Sequence, residues 1–169
     1  MSIVVETGSG KTDAESYCSV EFATQYHSAR GNTGWADLVS DTIREQCLRK
    51  ATEYMVQVYR DLWRGERRTD TQALDWPREN VYLDNGSTYI TIENDVVPLD
   101  VQKACAELAL KASASTLYAD QSRGIVSEKI GPLETTYDQY SPQAVRYKAV
   151  DSALAPYFDR SGQNQAVRR

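Results

Sequence analysis

The chain reads as a mainly α protein, a small bundle of about four helices with one or two short β-hairpins, an extended loop and a C-terminal tail. Three observations carry that reading. One segment has a sustained helical apolar stripe after a capping signal. A second small-residue stripe opens at a proline, and turn dipeptides sit between short β-prone runs elsewhere. With 169 residues, 41% of them hydrophobic, the chain is long enough to bury about two thirds of its unfolded surface in a single core. We take residues 1–158 as one helical domain and 159–169 as a flexible tail.

The elements follow in order. Ser2 to Val5 is an apolar run suited to an edge strand, ended by Gly8-Ser9-Gly10. A first helix is predicted over Val20 to Ala29, with Ser19 as N-cap and Gly31 past its end. Trp35, in the loop that follows, is expected to plug the core. The second helix is the strongest local signal: Thr42 and Glu45 form a capping box, and Ile43, Cys47, Ala51, Tyr54, Met55, Val58 and Leu62 form its stripe. Cys47 on that stripe reads as a small buried hydrophobe.

From Trp63 to Val97 the periodicity stops. Asn85-Gly86 between Val81-Tyr82-Leu83 and Tyr89-Ile90-Thr91-Ile92 predicts a hairpin, and the 35-residue excursion around it suggests a contact surface. A third helix opens at Pro98, with Asp95 as a candidate cap and Val101, Ala104, Cys105, Leu108, Ala109 and Ala112 along one side. It is expected to pack on the second helix. Ile125 to Ile130 and Leu133 to Tyr137 predict another hairpin with Gly131-Pro132 at its tip. A last helical segment fits Ala149 to Phe158, limited by Pro156. The three-arginine stretch from Arg160 to Arg169 is too polar to order alone.

Charge is segregated along the chain. Glu79, Asp84, Glu93, Asp95 and Asp100 fall in a stretch without Lys or Arg, whose −5 equals the net charge of the protein. Arg60, Arg64, Arg67 and Arg68 cluster just before it. Either these are two solvated loops, or the basic stretch of one subunit docks on the acidic stretch of the next. The overall acidity argues against an electrostatic grip on nucleic acid.

Candidate chemistry is sparse. Gly8-Ser9-Gly10-Lys11-Thr12 imitates a phosphate-binding loop, but the pattern requires a glycine where Val5 stands. His27 has no nucleophile in a recognised arrangement and is expected at the surface or in a local hydrogen bond. Asp84 and Glu93 read as solvated carboxylates. Three cysteines and one histidine lack metal-type spacing and fit a reducing compartment. We therefore expect no enzyme activity, no cofactor, no metal and no membrane span. Eleven tyrosines against two phenylalanines point to contacts between proteins.

The ordered motifs resemble a known group. Glu6-Thr7-Gly8-x-Gly10, Asp13-Ala14-x-Ser16-Tyr17-x-Ser19, Tyr26, Gly31 and Trp35 are followed by Leu48 and Ala51-Thr52-x-Tyr54. Then come Trp63-Arg64-Gly65, Gln72-x-Leu74-x-Trp76-Pro77-Arg78, Pro98 with Val101 and Ala104, Glu107-Leu108-Ala109 and Lys129-Ile130-Gly131-Pro132. The series is similar to the head-to-tail adaptor proteins of long-tailed bacteriophages, some of which carry a label as primosomal, single-stranded-DNA-binding proteins.

The resemblance implies a helical virion subunit, made in the host cytoplasm. In the neck it forms a ring, typically of twelve, that joins the portal to a stopper or tail-terminator protein while DNA passes through without specific binding. On that reading Leu154, Tyr157, Phe158, Arg160, Arg168 and Arg169 carry portal contacts, the first three alternatively closing the subunit core. Ile130, Gly131, Pro132 and Leu133 meet a stopper or a neighbour, or form a plain surface turn. The acidic residues then face the channel or an adjacent subunit's arginines. The alternative function is a single-stranded nucleic-acid-binding module, which would need a basic stripe at Arg60 to Arg68 with exposed tyrosines.

Overall fold

Two of the helices begin at a serine of extended backbone whose hydroxyl accepts from an amide of the first turn. In the computed structural model, residues 2–117, 127–130, 133–136 and 147–159 are described. Helix α1 (Val20–Ser28) is capped by Ser19, whose hydroxyl accepts from Phe22 N at 3.0 Å. Trp35 lies in a one-turn helix, α2 (Thr33–Ala36), and not in a loop; it is buried and its indole donates to Thr24 Oγ1 at 3.0 Å.

Helix α3 (Asp41–Tyr59) is capped by Ser40, which accepts from Ile43 N at 3.3 Å, so the Thr42–Glu45 box does not form. Ser40 is extended and supplies the same hydroxyl two residues earlier, leaving Glu45 free to pair with Arg49 at 3.6 Å. A 3₁₀ turn (Arg60–Leu62) continues the helix. The buried face of α3 is Cys47, Leu48, Ala51, Thr52, Tyr54, Met55 and Tyr59, whereas Ile43, Val58 and Leu62 are only half-buried.

Helix α4 (Leu99–Ala114) follows Pro98, which stands just outside it; Asp95 is not its cap. Val101, Ala104, Cys105, Ala106, Leu108, Ala109 and Ala112 are buried, and α4 packs along α3 as the principal helix pair. The small residues allow close approach, and Thr52 Oγ1 meets Cys105 Sγ at 3.4 Å across the seam. Helix α5 (Lys148–Leu154) packs on α4 and passes into a 3₁₀ turn (Ala155–Tyr157) that takes up Pro156.

Ser2 to Val5 forms no strand of its own but a single parallel bridge, Val5 to Ser16. Three antiparallel pairs complete the described residues. Strand β1 (Glu66–Arg67) pairs with β2 (Arg78–Glu79), a ladder too short to leave a sequence signal. Strand β3 (Tyr82–Asp84) pairs with β4 (Tyr89–Thr91) around the anticipated Asn85-Gly86 turn. Strand β5 (Ser127–Ile130) pairs with β6 (Leu133–Thr136), Ile130 facing Leu133; the tip, Gly131 and Pro132, lies outside the described residues. One core cluster gathers side chains from Ala14 to Tyr157.

Candidate interaction surface

The arginines of the basic stretch are used inside the subunit. Arg64 donates to Phe158 O at 2.9 Å and to Tyr82 O at 2.8 Å, tying the segment after α5 to β3. Arg68 reaches Gly8 O at 2.7 Å, Arg67 bonds Gln72 O, and Arg60 pairs with Asp75 at 3.0 Å. Arg78, 7% exposed, donates to the carbonyls of Arg64, Gly65 and Asp75 at 2.7, 2.6 and 3.2 Å. An irregular loop must satisfy its carbonyls without a ladder, and the five-donor guanidinium does so at several points at once. Gln72 adds bonds to Leu74 O at 2.8 Å and Pro77 O at 3.0 Å.

Trp63, Leu74, Trp76 and Val81 fill the inside of this loop. Gly65, at φ +67°, brings its backbone against Glu79 O, where a Cβ would clash. The Trp-Arg-Gly and Trp-Pro-Arg motifs are therefore a folded plug, and each arginine of the basic stretch already bonds an acceptor of its own subunit while Arg60 keeps about half of its side chain exposed.

The acidic stretch behaves differently. Asp84, Glu93 and Asp95 are exposed and make no ion pair among the described residues. Asp84 only accepts from Gly86 N at 2.8 Å, inside the turn. Glu79 is half-buried and meets Asn94 Nδ2 at 3.5 Å. Asp100 is held by Lys103 at 3.3 Å and by the Tyr157 hydroxyl at 3.2 Å; burial, helped by this carboxylate, pushes the tyrosine pKa up to about 12. Tyr82, Asp84, Tyr89 and Thr91 share one face of the β3–β4 hairpin by their register. Tyr89 is 73% exposed, Ile90 49% and Tyr82 47%, while Leu83 packs toward the core. Apolar bodies with polar tips, rimmed by carboxylates, suit a contact with protein better than one with phosphate.

Of the expected portal residues, Leu154 and Tyr157 are buried and Phe158 stacks between Tyr59 (5.4 Å) and Trp63 (5.2 Å). Arg64 N donates to Tyr157 O at 2.9 Å and Asp159 N to Leu62 O at 2.7 Å. These three side chains close the subunit core, because the segment zips onto the chain beside Trp63. Arg160, Arg168 and Arg169 lie outside the described residues, as does the tip at 131–132; Ile130 and Leu133 are placed only by their backbone pairing.

The imitation phosphate loop is already filled. Glu6, buried, accepts from Gly8 N, Gly10 N and Lys11 N at 2.8, 3.0 and 2.7 Å, so the amides that would cradle a phosphate hold the chain's own carboxylate. Lys11 Nζ turns back to Val5 O at 2.6 Å.

His27 is fully buried and not at the surface. Its Nε2 lies 3.0 Å from Ala106 O and its Nδ1 3.0 Å from Asn32 Nδ2, which fits a neutral ring donating from Nε2 and accepting at Nδ1. Burial lowers its pKa below the ordinary value, against the opposing pull of the Ala106 carbonyl and Glu107. The sequence signal was its place beside Ala23 on the inner side of α1. Cys18 and Cys105 meet in the core with Ser16 nearby, where donation to Cys105 and burial raise the Cys18 thiol.

One further array lies on α1. Phe22 and Tyr26 stack with centroids 6.4 Å apart, and the Arg30 guanidinium lies 3.6 Å above the Tyr26 ring. Tyr26 also donates to Glu107 at 2.8 Å, and its pKa is pushed up to about 12. No group of three or more His, Cys, Asp or Glu among the described residues is arranged to hold a metal ion, and no described helix is long and apolar enough to cross a membrane.

No curated protein and no solved structure shows a significant match to the chain. A family model described as "Putative DnaT-like ssDNA binding protein" matches residues 1–169. The chain belongs to that DnaT-like family over its whole length.

Proposed function

We propose that the chain is a structural subunit of a head-to-tail adaptor ring in a long-tailed phage, joining the portal to a stopper or tail-terminator protein around the DNA channel. One observation carries the reading: the arginines at 60–68 bond acceptors within the subunit, while the β3–β4 hairpin turns tyrosines and isoleucine outward. Such a surface supports contact with protein. Closed into a ring, a modest interface per copy becomes strong through effective concentration. The motif series of the adaptor group supports the same reading, since most of its members here are plug, cap and core residues that shape a rigid wedge. Native mass spectrometry and negative-stain imaging of the full chain with purified portal should give rings seated on portal. Free monomer alone would refute the proposal.

A second reading, single-strand binding, is favoured by the family description and by the Phe22–Tyr26–Arg30 array, whose flat groups could stack with bases. Within the subunit Tyr26 already stacks with Phe22, carries Arg30 over its ring and bonds Glu107, whose carboxylate adds negative charge beside the array. If the array bound a strand, F22A and R30Q would each weaken oligonucleotide affinity several-fold.

A further inference from the structure

Asp84, Glu93 and Asp95 are exposed and make no ion pair among the described residues, and the neighbouring arginines are engaged elsewhere. We propose that residues 160–169 dock on the Tyr82/Tyr89 face of the β3–β4 hairpin of the same subunit, with Arg160, Arg168 and Arg169 set against Asp84, Glu93 and Asp95. This goes beyond the adaptor reading and holds whether or not the chain forms a ring.

Three facts meet here. The segment holds three arginines and no acid, against three exposed acids on and just after the hairpin that make no ion pair among the described residues. Guanidinium groups bind carboxylates through paired donors and also lie flat on aromatic rings, and Tyr82 and Tyr89 offer both kinds of partner in one place. The chain also leaves from the right position. A single guanidinium, Arg64, binds Phe158 O and Tyr82 O, and Asp159 N is fixed to Leu62 O at 2.7 Å, so the described backbone reaches its last residues beside β3. Ten residues reach up to roughly 33 Å when extended, whereas a three-residue strand is about 10 Å long. Tethering this short gives an effective concentration of about a millimolar or more, enough to populate weak ion pairs.

The test is a ¹⁵N spectrum of the full chain compared with R160Q/R168Q/R169Q. The account expects amide shifts concentrated in residues 82–95 at low salt, shrinking in 0.5 M salt and independent of protein concentration. In a D84N/E93Q/D95N background the arginine changes should leave the hairpin amides unmoved. Asp84, Glu93 and Asp95 are at exposed positions, and a far-ultraviolet circular dichroism spectrum and the dispersion of the core amides check that each variant keeps the fold. Hairpin amides that do not respond to the arginine changes would overturn the proposal, as would shifts centred elsewhere. Shifts that vanish on dilution would assign the contact to a second copy and overturn it as stated.

Discussion

Two consecutive regions, residues 63–81 and 82–95, look alike as sequence and are opposites as structure. Both lack helical periodicity, and both are rich in charge and aromatic residues. In the first, the arginines bond the chain's own acceptors: Arg64, Arg67, Arg68 and Arg78 bond carbonyls, Arg60 reaches to buried Asp75, and Trp63 and Trp76 stack edge to face at 5.7 Å. In the second, acids and tyrosines point outward with few partners. Charge in a sequence thus gives a sign but not a destination. A guanidinium with several donors can replace a missing β-ladder in a loop, whereas a short carboxylate in a hairpin turn has little within reach.

Substitutions should separate the two regions sharply. In the plug, W76A removes a side chain with 0% exposure and should cost about 4 kcal/mol, read by denaturant unfolding. R78A strands three carbonyls and should cost about 3 kcal/mol, with R78K recovering little because one ammonium cannot reach all three. G65A forces a Cβ into Glu79 O at a left-handed backbone position and should lower the thermal midpoint by several degrees. In the hairpin, Y89A should fall within about 0.5 kcal/mol of the parent while weakening assembly. A hairpin change as costly as W76A would break the contrast.

A smaller, pH-dependent effect lies outside both regions. His27 is held neutral by burial, so its folded pKa lies below its unfolded value of about 6.5. The unfolded chain then binds the proton first. The stability contributed by the neutral ring is complete above about pH 6.5 and is lost as the pH falls toward the folded pKa. H27Q, able to bond both Ala106 O and Asn32, should flatten that part of the stability–pH profile measured by urea unfolding. An unchanged slope would show that His27 is not its source.

The helices were legible because their signals are local. Ser19 is a cap in sequence and in structure, the small-residue stripe from Val101 to Ala112 faces α3, and Asn85-Gly86 makes its turn. The start of α3 was misread because two hydroxyl residues compete there, and only Ser40 has extended backbone angles. Leu48, Thr52 and Tyr59 were missing from the predicted stripe, since a helix packed on one side by α4 and on another by the plug buries a wider arc than a single row. The destinations of Arg64 and Arg78 depend on carbonyls contributed from other parts of the chain. Glu6 filling its own nest could be read only weakly, from a carboxylate two to five residues before the glycine-rich amides.

The proposed function requires that the arginines near the acidic stretch, which bond acceptors within the subunit, give no grip on nucleic acid and that the exposed hairpin meets protein instead. Fluorescence anisotropy of a labelled single-stranded oligonucleotide, titrated with the full chain at low and at high salt, tests it most directly. The account predicts no saturable binding at low salt. Saturable binding that weakens steeply with salt would show a free cationic face and contradict the account.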